Sequence, residues 1–309
     1  VPVGLAAILF AIFIQKEWRG ARAGSFDWPG FLCVVCFMPL LIFALARGNS
    51  PLNPEGWSSP EVIGCFAVAA AALIVFIVRE LRCENPLLNL KLLGERNFGV
   101  SMAVLAIFGI GMLGGTYLLP LYMQKGLGYT AIMAGSVFLP VGLIQGVLST
   151  CSGFLTRYIK PLFISVTGIL VMTLSFYFAS RFTLHTTHAQ IMLVLYLRGF
   201  GMGLTFAPLN DFSLMNLSQR DMASAAGISN SIKQLSGSVS IALLTVILTG
   251  RTAFHSAQGG LSSAESYVAG ISDDFLFVTF VSLASALPFL WLLRPRRKAA
   301  SFKSEGTGT

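Results

Sequence analysis

Two basic residues, Arg198 and Lys233, lie inside long apolar stretches of the sequence. A charge within a membrane-spanning helix is costly, and it usually faces the interior of a helix bundle or a water-filled cavity. Such a cation can act on a substrate or a coupled ion, or it can bind backbone carbonyls as a structural anchor. We favour the first role and expect both cations to face a wet passage. The working hypothesis is therefore a solute transporter.

The neighbours of these cations favour the same interpretation. Lys233 shares one helical stripe with small and polar residues, namely Ala226, Ser229, Asn230, Gly237 and Ser240. That stripe should face protein or water, whereas residues 232, 235, 239 and 243 form an apolar side that could face lipid. Arg198 shares its helical face with Gly201 and Thr205.

Asp211 is the nearest acid that follows Arg198 in the chain. It lies about 220° around the helix and roughly 20 Å along it, so it cannot neutralise Arg198 within that helix. We find no deep carboxylate in the apolar stretches, although proton-coupled carriers usually have one, since burial can bring its pKa into the physiological range. We expect the coupling residue to lie outside this sequence, with Asp211 as the alternative.

The composition is typical of a polytopic α-helical membrane protein. Of 309 residues, 55% are hydrophobic and 11% are charged, and the mean hydropathy is +0.75; a soluble domain has about 25% charged residues. Apolar runs near the ~20 residues that cross a bilayer are predicted at 28–46, 61–78, 98–123, 131–155, 162–180, 191–215, 223–248 and 275–293.

A ninth apolar run, residues 1–14, is too short to span a membrane alone. The chain starts with Val1 inside this run, and no charged region precedes it, so the run does not have the form of a signal peptide. We expect the sequence to be the latter part of a longer protein that was cut within a helix.

The distribution of Lys and Arg predicts the orientation. With the C-terminus in the cytoplasm, the inner segments hold fifteen basic residues and the outer loops hold four, as the positive-inside rule requires. This asymmetry also accounts for the net charge of +8, so we infer no nucleic-acid binding. The basic tail, 294–309, is predicted to contact anionic membrane lipid.

No pattern in the sequence indicates an enzyme, a cofactor or a metal site. The spacing Cys33–Cys36 and the pair His185 and His188 lack further ligands, and the three histidines are predicted in outer loops away from any deep acid.

Asp27 is placed to cap a helix, with a proton relay as the alternative. A channel or a non-transporting membrane scaffold would also fit the hydropathy.

The chain divides into a helix pair with an interfacial connector, 15–97, and a six-helix unit, 98–293. The unit comprises two triplets, 98–181 and 190–293, of opposed topology. Both leading helices carry interruptions by Gly and Pro, which is the pattern of inverted repeats whose broken helices line a transport path. These residues are Gly109, Gly111 and Pro120 in the first triplet, and Gly199, Gly201 and Pro208 in the second.

The second helix of the first triplet carries four glycines on one face, because their spacing follows the helical repeat. Such a smooth face allows another backbone to approach closely, and we expect it to pack and to slide or rock. The four are Gly135, Gly142, Gly146 and Gly153. Pro140 can bend this helix, and Gln145 neighbours the face. With Tyr117, Gln145 joins Arg198, Lys233, Asn230, Thr205 and Asp211 as candidates for the substrate cavity or for coupling.

Several short motifs together resemble a known family, the fourteen-helix drug:proton antiporters of the major facilitator superfamily (EmrB/QacA type). The motifs are Phe26-Asp27-Trp28-Pro29-Gly30, Asn85-Pro86-Leu87-Leu88 with Asn97-Phe98, Gly128-Tyr129-Thr130 with Ala134-Gly135 and Pro140, Arg198-Gly199-Phe200-Gly201, and Gln234-Leu235-Ser236-Gly237-Ser238. Lys233 stands where this family usually has Arg. Gly153, Arg157 and Lys160 are similar to part of an inner-loop motif, but its Asp and second Gly are not matched.

The resemblance implies an arrangement as well as an activity. Residues 1–14 would end the sixth helix, the next two helices would be the extra central pair, and 98–293 would be the C-terminal half of a major facilitator fold. It implies export of small lipophilic compounds driven by protons across the bacterial cytoplasmic (inner) membrane, with a periplasmic adaptor and an outer-membrane channel as candidate partners. The alternatives are a carrier for another solute, such as a lipid, siderophore or metabolite, and a truncated fragment that does not transport.

Overall fold

The structure is a computed structural model that describes residues 10, 27–48, 50, 53–83, 88–219, 221–258 and 260–292. Several sequence predictions lie outside these residues. They concern nearly all of the run 1–14, the inner segment up to residue 26, the motif residues 85–87 and the basic tail 294–309.

Nine α-helices and no β-strand occur in the described ranges. They are α1 (Trp28–Gly48), α2 (Pro60–Arg82), α3 (Arg96–Leu121), α4 (Ala131–Leu155), α5 (Pro161–Ala179), α6 (His188–Leu214), α7 (Met222–Ala257), α8 (Ser263–Ala284) and α9 (Leu287–Leu292). Within these ranges, eight helical segments are long and apolar enough to cross a membrane. The prediction of an all-α membrane protein is thereby confirmed.

Helices α1 and α2 form a pair that exposes most of its apolar side chains. Phe37 and Phe76 pack between them, with ring centroids 6.2 Å apart. At one end the Asp27 carboxylate accepts hydrogen bonds from the Gly30 backbone N–H (3.0 Å) and from Arg79 Nε (2.8 Å). Asp27 therefore caps α1, as predicted, and also joins the first helix of the pair to the second.

Replacing Asp27 separates these two roles. We expect Asp27→Asn to keep the cap but lose the ion pair, and Asp27→Ala to lose both, with about 1 kcal/mol of stability attributable to the cap. Burial raises the pKa of Asp27, but the bonds from Gly30 and Arg79 outweigh it and hold the pKa below its usual range. The contribution to stability is therefore complete above about pH 3.9 and is lost as the pH falls through the lowered pKa. Thermal unfolding across acidic pH checks this, and an identical pH dependence in Asp27→Asn would contradict it.

The pair joins the remaining helices through α7 and through a short 3₁₀ helix, Leu90–Gly94. Asn89 Nδ2 donates to Asp221 Oδ1 at the start of α7 (3.1 Å). The connector predicted before residue 97 thus contains one helical turn tied to the beginning of α7.

The six long helices from α3 to α8 pack in a reciprocal pattern. Helix α3 packs against α7 and α8, while α6 packs against α4 and α5, and α3 also contacts α6. The leading helix of each predicted triplet therefore packs on the second and third helices of the other triplet.

Glycines permit these close approaches without interrupting the helices, so the expectation of broken leading helices was wrong. A Cβ at Gly109 would lie 3.0 Å from Ser236 Cβ of α7. A Cβ at Gly203 would lie 2.7 Å from Leu148 Cβ of α4, and one at Gly201 would lie 2.7 Å from Met172 Cβ of α5. Helices α3 and α6 run unbroken through these positions, and Pro120 is followed by a π-helical turn, Tyr122–Gly126.

Two of the sequence predictions fail at the junction of α7 and α8. The apolar runs predicted at 223–248 and 275–293 left residues 249–274 outside the spans, but α7 continues to Ala257 and α8 begins at Ser263. The Asp273 carboxylate binds Arg251 Nε (2.6 Å) and His255 Nε2 (2.8 Å), so the charges that seemed to end the helices neutralise one another. His255 is therefore helical and pairs with an acid. A capping box between Ser262 and Glu265 starts α8.

The four-glycine face of α4 has no neighbour in the described part of the chain. Nothing lies within 4 Å of a Cβ built at Gly135, Gly142, Gly146 or Gly153. Helix α4 packs on α6 through a different face, where Val141 meets Gly199. A role of the glycine face in packing or gating thus stays a prediction.

Candidate functional site

Lys233 lines a cavity of about 150 Å³ between α3, α6 and α7. Its Nζ lies 5.2 Å from the ring centroid of Phe206 on α6, a distance at which the ring face attracts a cation. The walls combine apolar side chains with hydroxyl and amide groups. They are Met102, Leu105, Phe206, Leu209, Asn210, Ser213, Ala226, Ser229, Asn230 and Lys233.

The cavity explains the polar stripe of α7. Ala226, Ser229, Asn230 and Lys233 line it together, because positions separated by three, four and seven residues share one helical face. Farther along the helix the small residues pack on α3 instead, where Ser240 Oγ donates to the Ile110 carbonyl (2.6 Å). Four of the six stripe residues thus line the cavity, and Gly237 and Ser240 form a helix–helix contact with α3.

Arg198 lies in a packed seam between α6 and α3. Its side chain is 4% exposed; the guanidinium donates to the Met112 carbonyl (3.3 Å) and to Thr116 Oγ1. Its Nε has no hydrogen-bond partner, and no carboxylate pairs with it, among the described residues. Arg198 therefore matches the alternative considered from the sequence, in which the cation binds a backbone carbonyl.

The structure does not bring the two cations together. Phe206, the residue over which Lys233 lies, follows Arg198 by eight positions, which is about 12 Å along α6. Helix α3 packs against both α6 and α7. Arg198 binds α3 at Met112, whereas Lys233 lines the cavity beside Met102 of the same helix. Lys233 is therefore the centre of the candidate site, and Arg198 is a cation buried beside it.

The other candidates are dispersed. Thr205 is fully buried and donates to the Gly201 carbonyl (2.7 Å), and Tyr117 Oη pairs with Thr245 Oγ1 of α7 (3.1 Å). Gln145 is half-buried on α4, and Asp211 is exposed near the end of α6. Asn230 alone among these joins Lys233 in the cavity.

The residues of the inner-loop motif lie at the end of α4 and in the turn that leads to α5. The Arg157 guanidinium stacks 5.4 Å from the ring centroid of Phe154, and both Arg157 and Lys160 are exposed. Gly153 is in the last turn of α4. No ion pair to Arg157 or Lys160 occurs in the described ranges.

Several other cavities are larger, and the two described next contain less chemistry. One of about 590 Å³ lies beside the start of α3, and one of about 370 Å³ lies between the α1–α2 pair and α7. Their walls are almost entirely apolar; Glu95 and Arg96 line the first, where Arg96 donates to the Trp291 carbonyl (2.8 Å). Because a ligand site needs a few convergent polar groups in an apolar setting, we take the Lys233 cavity as the candidate.

Sequence reasoning missed several residues of this site. Phe206, Asn210 and Ser213 follow one another at helical spacing on α6, and that periodicity could have indicated a second polar face opposite Lys233. It also missed Asp274, a carboxylate that is fully buried in α8. Asp274 directly precedes the apolar run that starts at Phe275, so the sequence placed it at the edge of a span.

The sequence model of the Major Facilitator Superfamily matches residues 3–241 of the chain. The chain therefore belongs to the Major Facilitator Superfamily, and its relatives include proteins named for multidrug export and drug resistance, which agrees with the resemblance found from the motifs. It is accordingly an integral membrane protein of a transporter family that acts on small molecules, not an enzyme family.

Individual relatives show the extent of the similarity. The chain is 31% identical to the MFS-type transporter YhcA of Bacillus subtilis, over 84% of the chain and 48% of that protein. It is 29% identical to the multidrug export protein EmrB of Escherichia coli K12 (84% and 50%) and 28% identical to the puromycin resistance protein pur8 of Streptomyces alboniger (97% and 60%). The chain spans about half the length of the curated relatives it matches.

Proposed function

We propose that the chain forms part of a proton-coupled exporter of lipophilic and amphiphilic compounds that works by alternating access. The observation that carries this proposal is the cavity around Lys233, where one cation and several amide and hydroxyl groups converge between three helices of the bundle. The names of the relatives EmrB and pur8, a multidrug export protein and a puromycin resistance protein, support drug efflux as the activity.

The residues that line the cavity suit a substrate-binding site, but the cavity is smaller than a pocket for a drug-sized molecule. Ligand pockets for drug-sized molecules measure about 300–1,000 Å³, whereas this one measures about 150 Å³. In our proposal it is one side of a larger passage. Met102, Leu105 and Phe206 supply apolar surface for a lipophilic group, and Asn210 and Asn230 can orient a polar one.

The charge of the cavity predicts which substrates fit. No carboxylate pairs with Lys233 within the described residues, so its ammonium gives the cavity positive potential. We propose that the carrier prefers neutral or anionic amphiphiles over dications. The reciprocal packing of the two triplets supports rocking about this cavity, since each leading helix packs on the other triplet.

Transport by the full-length protein in proteoliposomes tests the substrate preference. For an anionic amphiphile we expect Lys233→Ala to lower kcat/KM about tenfold, as loss of one charged hydrogen bond predicts, and Lys233→Arg to retain most activity. A neutral analogue of the same shape should be affected less. Lys125→Ala is the matched control, because Lys125 lies 5.8 Å from the Tyr267 ring centroid and outside the cavity. Strong preference for dications that Lys233→Ala leaves unaltered would rule the proposal out.

Proton coupling is tested with the same vesicles. We expect an imposed pH gradient to drive dye accumulation and an uncoupler to abolish it. Accumulation that is indifferent to the gradient would exclude an antiporter and favour a channel or scaffold.

The orientation and assembly are also part of the proposal. The excess of Lys and Arg in the predicted inner segments supports a cytoplasmic C-terminus in a bacterial inner membrane. A periplasmic adaptor and an outer-membrane channel are candidate partners.

A further inference from the structure

Asp274 is a carboxylate buried midway along a membrane-spanning helix. It is the twelfth residue of the 22-residue helix α8, and its exposed fraction is 0%. Neither carboxylate oxygen has a hydrogen-bond partner among the described residues. The sequence-based expectation that this chain contains no deep carboxylate was therefore wrong; the predicted start of the last helix at residue 275 had left Asp274 in a loop.

The neighbours of Asp274 on its own helix locate it in the bundle. One turn before it, a Cβ at Gly270 would meet Thr252 and Leu248 of α7. One turn after it, Val278 lies 3.4 Å from a Cβ at Gly114 of α3. Positions 270, 274 and 278 share one helical face, so Asp274 lies in the seam where α3, α7 and α8 meet.

Titratable groups surround this seam without pairing with Asp274. Helix α3 contributes Tyr117, bound to Thr245, and the following π-helical turn contributes Tyr122, bound to the Thr183 carbonyl, and Lys125, which lies over Tyr267 of α8. The other charged groups are bound elsewhere: Arg251 and His255 of α7 pair with Asp273, and on α5 the exposed Tyr177 binds Arg181.

Among the described residues, an ionised carboxylate here would have no ion-pair partner and no hydrogen-bond donor. The cost of burying such a charge is large compared with the stability of a folded domain, and a carboxyl group in that position binds a proton instead. A group that is neutral when enclosed and ionised when water reaches it can carry a proton between two conformations.

We propose that Asp274 is a proton-binding site of this carrier, protonated in the present conformation and exchanging its proton when the seam of α3, α7 and α8 opens. Asp273, the preceding residue, pairs with Arg251 and His255 of α7 in a partly exposed polar cluster that adjoins the seam. The proposal rests on the proposed proton-coupled function, but the protonation of Asp274 can be measured without transport.

Infrared difference spectroscopy of the full-length protein tests the protonation. We expect a C=O stretching band of a protonated carboxylic acid at neutral pH, sensitive to deuteration and absent in Asp274→Asn. The matched control is Asp273→Asn, which removes the adjacent carboxyl and should retain the band. Asparagine is nearly isosteric with a neutral aspartic acid, so Asp274→Asn should fold with unchanged or higher thermal stability. A band that survives in Asp274→Asn, or no band at all, overturns the proposal.

Transport assays then test whether Asp274 exchanges its proton during the transport cycle. In proteoliposomes we expect Asp274→Asn to lose most of the increase in accumulation that a pH gradient produces in the wild type, and to release fewer protons per substrate on binding. If the infrared band is lost but coupling is unchanged, the proton is held permanently and the proposal is overturned. If the wild type shows no coupling, the proposed function itself fails, and that result precedes any variant.

Discussion

Replacing Arg198 with methionine is expected to leave the folded protein as stable or to stabilise it by about 1–4 kcal/mol, while lowering transport. The guanidinium is buried in the seam between α6 and α3 with no carboxylate partner among the described residues, and its Nε is unpaired there. Its bonds to the Met112 carbonyl and Thr116 stabilise by about 1.5–3 kcal/mol each at most. Desolvation of the ion costs several kcal/mol, so removal of the charge should not destabilise.

The Met112 carbonyl retains a partner in this variant, since Thr116 Oγ1 also donates to it (2.9 Å). Thermal unfolding and transport of the full-length protein measure the two effects separately. The control is Arg181→Met, which removes an exposed guanidinium that donates to Tyr177 Oη (2.9 Å) and should alter neither. If Arg198→Met unfolds the protein, Arg198 is a structural anchor. If stability rises and transport is unchanged, the cation has no role in transport.

Two glycine substitutions of the same kind are expected to change stability in opposite directions. In Gly201→Ala the new Cβ would lie 2.8 Å from the Gly168 carbonyl oxygen and 2.8 Å from the Met172 backbone nitrogen of α5. Backbone atoms cannot move away as a flexible side chain can, so overpacking should cost about 1–3 kcal/mol. Gly201→Leu should give little folded protein.

In Gly142→Ala the new Cβ has no atom within 4 Å in the described structure. Alanine favours a helix over glycine by roughly 0.5–1 kcal/mol, so this variant should be slightly more stable. Both variants can be compared by thermal unfolding of the full-length protein. Equal losses of stability would show that the glycine face of α4 is packed in the folded carrier. Unchanged stability with reduced transport would favour its predicted role in gating.

The class of protein followed from local properties of the sequence. Hydropathy over about 20 residues and the bias of Lys and Arg are properties of each segment alone, so six of the eight predicted spans agree with the helices within a few residues. The side of α7 that carries Asn230 and Lys233 was also predictable, because helical periodicity decides which residues share a face.

The bounds of α7 and α8 could not be predicted in this way, because they involve contacts between residues far apart in the chain. Between the extended end of α7 and the early start of α8, Asp273 binds Arg251, which lies 22 positions away in the chain. A sequence window shorter than this separation contains only one of the two charges, and that charge is then taken as the end of a span. For the same reason Asp274 was assigned to a loop, although it is buried in α8.

By itself, the sequence determined that the chain is a membrane-spanning helical protein with a cation on a polar stripe of α7. The tertiary structure decided that Lys233 faces a cavity and that Arg198 is enclosed against the backbone of α3. The physical reason is that periodicity orders residues around one helix, whereas the face that meets a neighbour depends on how closely the helices approach. That approach is set by contacts such as Gly203 with Leu148 and Gly201 with Gly168, which join residues far apart in the chain.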